Sequence, residues 1–295
     1  MLVVDRHPFL QKFKLPDISD PYNLNVLRED LVQPFTGGNK WRKLKYNLID
    51  FREQKKSILL TFGGAFSNHL IACAAAGSQL GIKTIGIIRG EEISNPCIDF
   101  MKAKGMKLFF VSRDEYRRKT ELAMQQHWLE QLIKREWVSN EAEVFLLPEG
   151  GSNEAAVVGT KEIAKEITDE LIFCACGTGA TVAGISNGIS KNQIIHAVPV
   201  LKSKSFIENN IADLGGDLSK IVFHHDYHFG GYAKKSFELD KFCRDFYLLN
   251  HIQIEPVYTG KLFFAIQDLL KRGTFPMEKS MTAIHTGGIY SFFPF

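Results

Sequence analysis

From residue 57 onward, short apolar runs take turns with stretches of mixed polarity. The runs at 57–62 (SILLTF), 83–88 (KTIGII), 106–111, 143–147, 171–176 (LIFCAC) and 193–200 predict strands. The stretches at 68–80, 95–104, 115–134, 153–167 and 178–190 predict helices. Most of the apolar runs do not alternate with polar residues, as expected of strands covered on both faces. Strands alternating with helices of this length predict parallel sheets joined by right-handed crossovers, an α/β fold. Glycine-rich turns at 36–39 (TGGN) and 148–153 (PEGGSN) bracket one block. They predict a smaller α/β domain at 47–147, inserted into a larger one built from 1–46 and 148–295. A two-lobed design of this kind places a ligand in the cleft, at the carboxyl ends of the strands.

Composition narrows the class. The 295 residues are 45% hydrophobic and 23% charged, which is ordinary for a packed globular chain. A net charge of +3 is too balanced to imply a nucleic-acid or anionic-membrane partner. No run of about eighteen apolar residues occurs, so no membrane span is expected. The first fourteen residues lack the apolar core of a signal peptide. Cys73, Cys97, Cys174, Cys176 and Cys243 are irregularly spaced and complete no zinc pattern, so buried free thiols and no metal site are expected. Free thiols imply a reducing compartment, and a cytoplasmic location is expected.

Four glycine-rich segments carry the candidate chemistry. In Gly37-Gly38-Asn39-Lys40, glycines let backbone approach a ligand closely, and a lysine beyond them could be desolvated into an amine nucleophile. The same residues also read as a helix start capped by Asn39. Gly63-Gly64-Ala65-Phe66-Ser67-Asn68-His69 joins a strand to a helix whose first N–H groups could hold a carboxylate. Gly177-Thr178-Gly179-Ala180-Thr181 has the small residues, hydroxyls and helix start of a phosphate cradle. It lacks the Lys-Ser or Lys-Thr of a Walker loop, and its glycine spacing fits a dinucleotide fingerprint poorly. The fourth pairs PVYTGK at 256–261 with HTGG at 285–288.

Taken together, GGNKWRKLKYNL at 37–48, GGAFSNH at 63–69, PEGGSN at 148–153, GTGATVAG at 177–184, PVYTGK and HTGG occur in one order across nearly the whole chain. In this the chain resembles the D-cysteine desulfhydrase and 1-aminocyclopropane-1-carboxylate deaminase family, within the tryptophan-synthase-β-like enzymes that use pyridoxal 5'-phosphate. The resemblance implies a Schiff base between the cofactor and Lys40. It implies that Gly177, Thr178, Gly179, Ala180 and Thr181 bind the phosphate, that Asn68 bonds the ring hydroxyl, and that Thr286 faces the pyridine nitrogen. Ser67, Asn68 and His69 would receive the substrate carboxylate, with Ser67 close to the reacting carbons. Tyr232 and Tyr258 would line the substrate pocket. A small amino acid as substrate and a homodimer are also implied.

Departures within the family sharpen the expected reaction. Its ring-opening deaminases carry Glu after the pocket tyrosine and Leu at the Thr of HTGG, whereas this chain has Thr259 and Thr286. Both choices resemble the desulfhydrases, which release a 2-oxo acid and ammonia by β-elimination. Phe66 replaces a common family Gln. Ring opening of the cyclopropane amino acid is the alternative activity, and a non-catalytic amino-acid-binding protein is the alternative of another class.

Overall fold

The computed structural model describes residues 6–19, 22–33, 35–202, 204–231 and 233–288. They form two compact units, one Leu44–Ser152 and the other 6–43 with 153–288. Ten strands are present among the described residues: β1 (Leu10–Lys12), β2 (Asn23–Leu27), β3 (Ile58–Gly64), β4 (Lys83–Arg89), β5 (Lys107–Val111), β6 (Val144–Leu147), β7 (Leu171–Cys176), β8 (Ile194–Pro199), β9 (Ile221–Phe223) and β10 (Ser280–Ile284).

The smaller unit holds a four-stranded sheet, ordered β5-β4-β3-β6, with every pair parallel. Ile58, Leu60, Phe62, Ile85 and Ile87 pack on Met124, Trp128 and Leu132 of the helix Leu122–Lys134. Those three helix positions recur every four residues, which turns one apolar stripe to the sheet. Burying each such side chain contributes about 2 kcal/mol. The single helix predicted over 115–134 is two helices. Ser112 and Glu115 form a reciprocal capping box that starts Arg113–Arg117 early, and Glu121 adopts an extended backbone before the second helix begins.

The larger unit holds a six-stranded sheet, ordered β1-β2-β10-β7-β8-β9, in which β1 alone runs antiparallel to its neighbour. β7 is covered on both faces. Phe173 and Ala175 join a core with Phe242, Phe246 and Phe263, while Ile172, Cys174 and Cys176 join another with Val182, Ala183 and Ile185. Side chains alternating across the strand explain that division. All five cysteines are free and buried. No helix among the described residues is long and apolar enough to cross a membrane.

The helix predicted over 178–190 is shorter, Ala180–Ser186. The chain then turns tightly at Gly188, where a Cβ would lie 2.6 Å from Ala164 Cβ and 2.8 Å from Lys161 O. Likewise 153–167 is an α-helix only over Glu154–Lys161 and continues as a 3-10 turn, Glu162–Glu166. Because β10 lies between β2 and β7, the carboxyl ends of three strands remote in sequence stand side by side. The segments that follow them are the turn leading to Asn39, the loop 285–288 and the loop 177–179.

Candidate active site

Asn39 ties these three segments together. Its N–H donates to Thr286 O at 3.2 Å, and its Nδ2 donates to Thr181 Oγ1 at 3.0 Å. Its Oδ1 accepts from Lys40 Nζ at 2.8 Å. Asn39 is therefore the first residue of the helix Asn39–Glu53, with its side chain spent on Lys40 and Thr181. The Lys40 amine thus lies two hydrogen bonds from the start of the helix Ala180–Ser186. Gly38 makes the approach possible: its φ is +67°, and a Cβ there would lie 2.1 Å from Thr286 O. Gly38 N–H also donates to Glu29 O at 2.8 Å. The Glu29 carboxylate accepts from Arg42 at 2.8 and 3.2 Å, so one buried residue holds the lysine turn from both ends.

Lys43 is the site residue that the sequence reading passed over, hidden in the cationic run that follows Lys40. One helical turn on, it is buried and its Nζ lies 3.4 Å from Thr178 Oγ1. Burial, and then the neighbouring charge of Lys40, lowers its pKa to about 7. At the facing loop, Gly179 has φ +91° and, having no side chain, cannot cap the helix itself. Its first N–H groups are then available to an anion. Tyr258 stands beside this loop, since a Cβ at Gly177 would lie 3.1 Å from its ring. The Lys43 amine, the hydroxyls of Thr178 and Thr181 and a glycine-rich helix start form a donor set matched to a phosphate dianion. An amine next to it suits an aldehyde. The residues therefore fit pyridoxal phosphate.

Thr286 is buried, and its neighbour His285 orders the loop. His285 Nε2 lies 2.7 Å from Gln253 O, and its Nδ1 accepts from Gly287 N–H at 3.3 Å. Thr259 is also buried. Its Oγ1 accepts from Glu255 N–H at 2.9 Å and donates to Glu255 Oε1 at 3.2 Å. The Glu255 carboxylate in turn accepts from the N–H groups of Val257, Tyr258 and Thr259, and burial pushes its pKa up to about 7.

In the smaller unit, Ser67 caps the helix Asn68–Leu80, its Oγ accepting from Leu70 N–H at 3.3 Å. His69 is buried, and its Nε2 lies 2.7 Å from Thr61 Oγ1. Because that hydroxyl donates to Leu147 O, the imidazole Nε2 is the donor to Thr61. What His69 offers at the helix start is thus its backbone N–H. Phe66 stands 54% exposed beside this turn. Tyr232 lies outside the described residues.

The family model described as pyridoxal-phosphate dependent enzyme matches residues 10–287. A Thermotoga maritima protein named "Putative 1-aminocyclopropane-1-carboxylate deaminase" is 30% identical over 295 residues, covering 92% of this chain and 90% of its own. The Arabidopsis thaliana "Bifunctional D-cysteine desulfhydrase/1-aminocyclopropane-1-carboxylate deaminase, mitochondrial" is 25% identical over 310 residues, covering 95% and 76%. The crystal structure of an ACC deaminase homologue superposes with a TM-score of 0.75 at 27% identity, covering 90% of this chain and 84% of that one. These matches replace the reading as a non-catalytic binding protein with that of an enzyme. The chain belongs to the pyridoxal-phosphate-dependent enzyme family, and pyridoxal phosphate is its cofactor.

Proposed function

We propose that the protein deaminates a small amino acid by β-elimination, as a D-cysteine desulfhydrase does, releasing a 2-oxo acid and ammonia. The observation that carries the reading is the run of hydrogen bonds from Lys40 Nζ through Asn39 to Thr181. When bound, the cofactor supplies an electron sink for the pair left on the substrate Cα. Lys40 would hold the cofactor aldehyde, and its amine would serve as the base for the Cα proton. Thr178, Thr181 and the N–H groups after Gly179 and Ala180 bind the phosphate oxygens, with Lys43 opposing their charge. Thr286, as the family resemblance implies, would face the ring nitrogen with a neutral hydroxyl, an environment that suits elimination. By the family resemblance, Asn68 would bond the ring hydroxyl. By the same resemblance, the turn Ser67, Asn68 and His69 would receive the substrate carboxylate, offering a hydroxyl and backbone N–H groups. Tyr258 would line the pocket, and the family resemblance assigns Tyr232 the same role.

Thr259 favours elimination over ring opening. Its hydroxyl is engaged with Glu255 in the first turn of a helix, so the position after Tyr258 brings no carboxylate to the substrate. Ring opening is retained as a second reading because the Thermotoga maritima relative carries that name. Pyruvate release from D-cysteine, set against 2-oxobutanoate release from the cyclopropane amino acid, separates them. Purified protein loaded with cofactor is expected to absorb in the Schiff-base band, and Lys40→Ala to lose that band. An unchanged spectrum in the variant overturns the assignment of Lys40.

A further inference from the structure

A carboxylate that receives several N–H groups fixes the backbone carrying them more firmly than a neutral acceptor does. Ahead of the helix Thr259–Lys271, the buried Glu255 side chain does this for three residues in a row. Its Oε2 accepts from Val257 N–H at 2.6 Å, and its Oε1 accepts from Tyr258 N–H at 2.8 Å and Thr259 N–H at 2.9 Å. The turn also closes bonds of its own. Gly260 N–H donates to Glu255 O at 2.7 Å, and Leu262 N–H donates to Tyr258 O at 3.1 Å. Those main-chain acceptors persist whatever side chain stands at 255, and they secure the helix from Gly260 onward. The N–H groups of residues 257–259 precede that point, and the side chain receives them. Tyr258 is not yet helical, with φ −123° and ψ −69°, so the helix does not dictate its backbone. Its ring has a close neighbour in the facing loop: a Cβ at Gly177 would lie 3.1 Å from Tyr258 Cε1 and 3.6 Å from its hydroxyl oxygen.

We propose that Glu255 is a positioning residue: its carboxylate sets the backbone of Tyr258 and thereby holds the tyrosine ring against Gly177, where the phosphate loop begins. The inference rests on the reading above that this ring lines the substrate pocket. Glu255 acts through Tyr258 and touches no substrate itself.

Glu255→Met in the cofactor-loaded full chain tests this, since it removes both acceptor oxygens at nearly constant volume. The measurements are made at pH 8, where a carboxyl that burial pushes up to about 7 is mostly ionised. Amide exchange at residues 257–259, resolved by NMR, is expected to speed up at least about tenfold, because local opening becomes easier. Absorbance of the cofactor on Lys40 is expected to stay as in the parent. Turnover per cofactor-loaded site is expected to fall about 10- to 100-fold, as for a misplaced pocket group. In a Tyr258→Phe background the same change should cost less than about threefold further, because both act through one side chain. Glu255→Asp keeps a carboxylate within reach of the N–H groups two and three residues on, and should recover turnover to within about fivefold of the parent. Unchanged exchange, losses that multiply in the double variant, or an aspartate variant as poor as the methionine one overturns the proposal. If the methionine variant does not fold, Glu255→Gln is measured instead. With one acceptor oxygen in place of two, it should speed exchange at one or more of the three amides and lower turnover at least about threefold, and failure of either overturns the proposal. If the parent turns over neither candidate substrate, the functional reading fails alone, and exchange at 257–259 still decides whether the carboxylate holds Tyr258.

Discussion

Replacing Gly38 by alanine separates close contact from backbone strain at the lysine turn. Gly38 has φ +67°, and a Cβ there would lie 2.1 Å from Thr286 O, 2.5 Å from Thr286 C and 2.9 Å from Gly287 N. All three are backbone atoms, so no side-chain rotation relieves them. Gly81 is the matched control, with φ +68° and nothing within 4 Å of a Cβ. Alanine at either position incurs the left-handed strain of about 1 kcal/mol. At Gly38 the contact adds overpacking of about 1–3 kcal/mol. It also strains the hydrogen bond from Asn39 N–H to Thr286 O, 3.2 Å long. Losing a buried bond of that kind costs about 1–3 kcal/mol. Gly38→Ala is therefore expected to cost at least about 2 kcal/mol more than Gly81→Ala. The two variants are compared by urea unfolding and by cofactor titration followed in the Schiff-base band. Gly38→Ala should lose cofactor affinity and Gly81→Ala should keep it. Equal stability and equal affinity in the two would refute the close approach of the 37–38 and 286–287 backbones.

Lys43→Met is expected to weaken cofactor binding about 10- to 100-fold, the worth of one charge-assisted contact. Because Lys43 titrates at about 7, it is mostly neutral at pH 8, and a bound dianion should draw a proton onto it. Calorimetry in buffers of different ionisation heat should show that uptake in the parent, and its persistence in Lys43→Met would refute the role. His196, whose Nδ1 lies 2.9 Å from His224 Nε2, is pushed down to about 4 by burial and then by His224. The unfolded chain protonates first as pH falls, so stability should drop by about 3 kcal/mol from pH 6.5 to pH 4. His196→Phe should flatten that slope in urea titrations, and parallel slopes would contradict it. Phe66→Gln should change stability by less than about 0.5 kcal/mol, since the ring is exposed. A shift in the ratio of activities on D-cysteine and the cyclopropane amino acid would then reflect the substrate alone, and an unchanged ratio would deny Phe66 a part in selection.

Each of the strands β3 to β8 coincides with an apolar run read from the sequence, β3 and β4 extending two residues and one residue beyond theirs, because all but the half-buried β5 are largely covered on both faces and their residue types say so. β2 and β10 went unread for the opposite reason: they carry polar residues inside the sheet. Asn25 donates to Asp169 Oδ2 at 2.8 Å and Thr282 Oγ1 to the same oxygen at 2.6 Å, so their polarity is satisfied internally. A pattern of hydrophobic and polar letters cannot distinguish such a group from a solvated one. The ends of helices were misread where tertiary contact decides them, as at Gly188 against Ala164.

The site was legible as separate glycine-rich segments, and the resemblance assembled them. What the letters alone could not supply was their adjacency. A lysine after two glycines, followed by Arg42, Lys43 and Lys45, is indistinguishable from a surface charge cluster until something buries it. Here the burying elements are loops about 140 and 250 residues further along, after β7 and β10, and only the sheet order places them beside Asn39. The same placement divides the cationic run by function: Arg42 goes to Glu29 and Glu162, and Lys43 goes to Thr178. Neighbouring positive side chains with unlike partners have unlike pKa values, Arg42 raised by its carboxylates and Lys43 lowered by burial and Lys40. The run thus holds one structural anchor, Arg42, beside two amines, Lys40 and Lys43, whose partners differ, which is why its net charge predicts so little and its partners predict so much more.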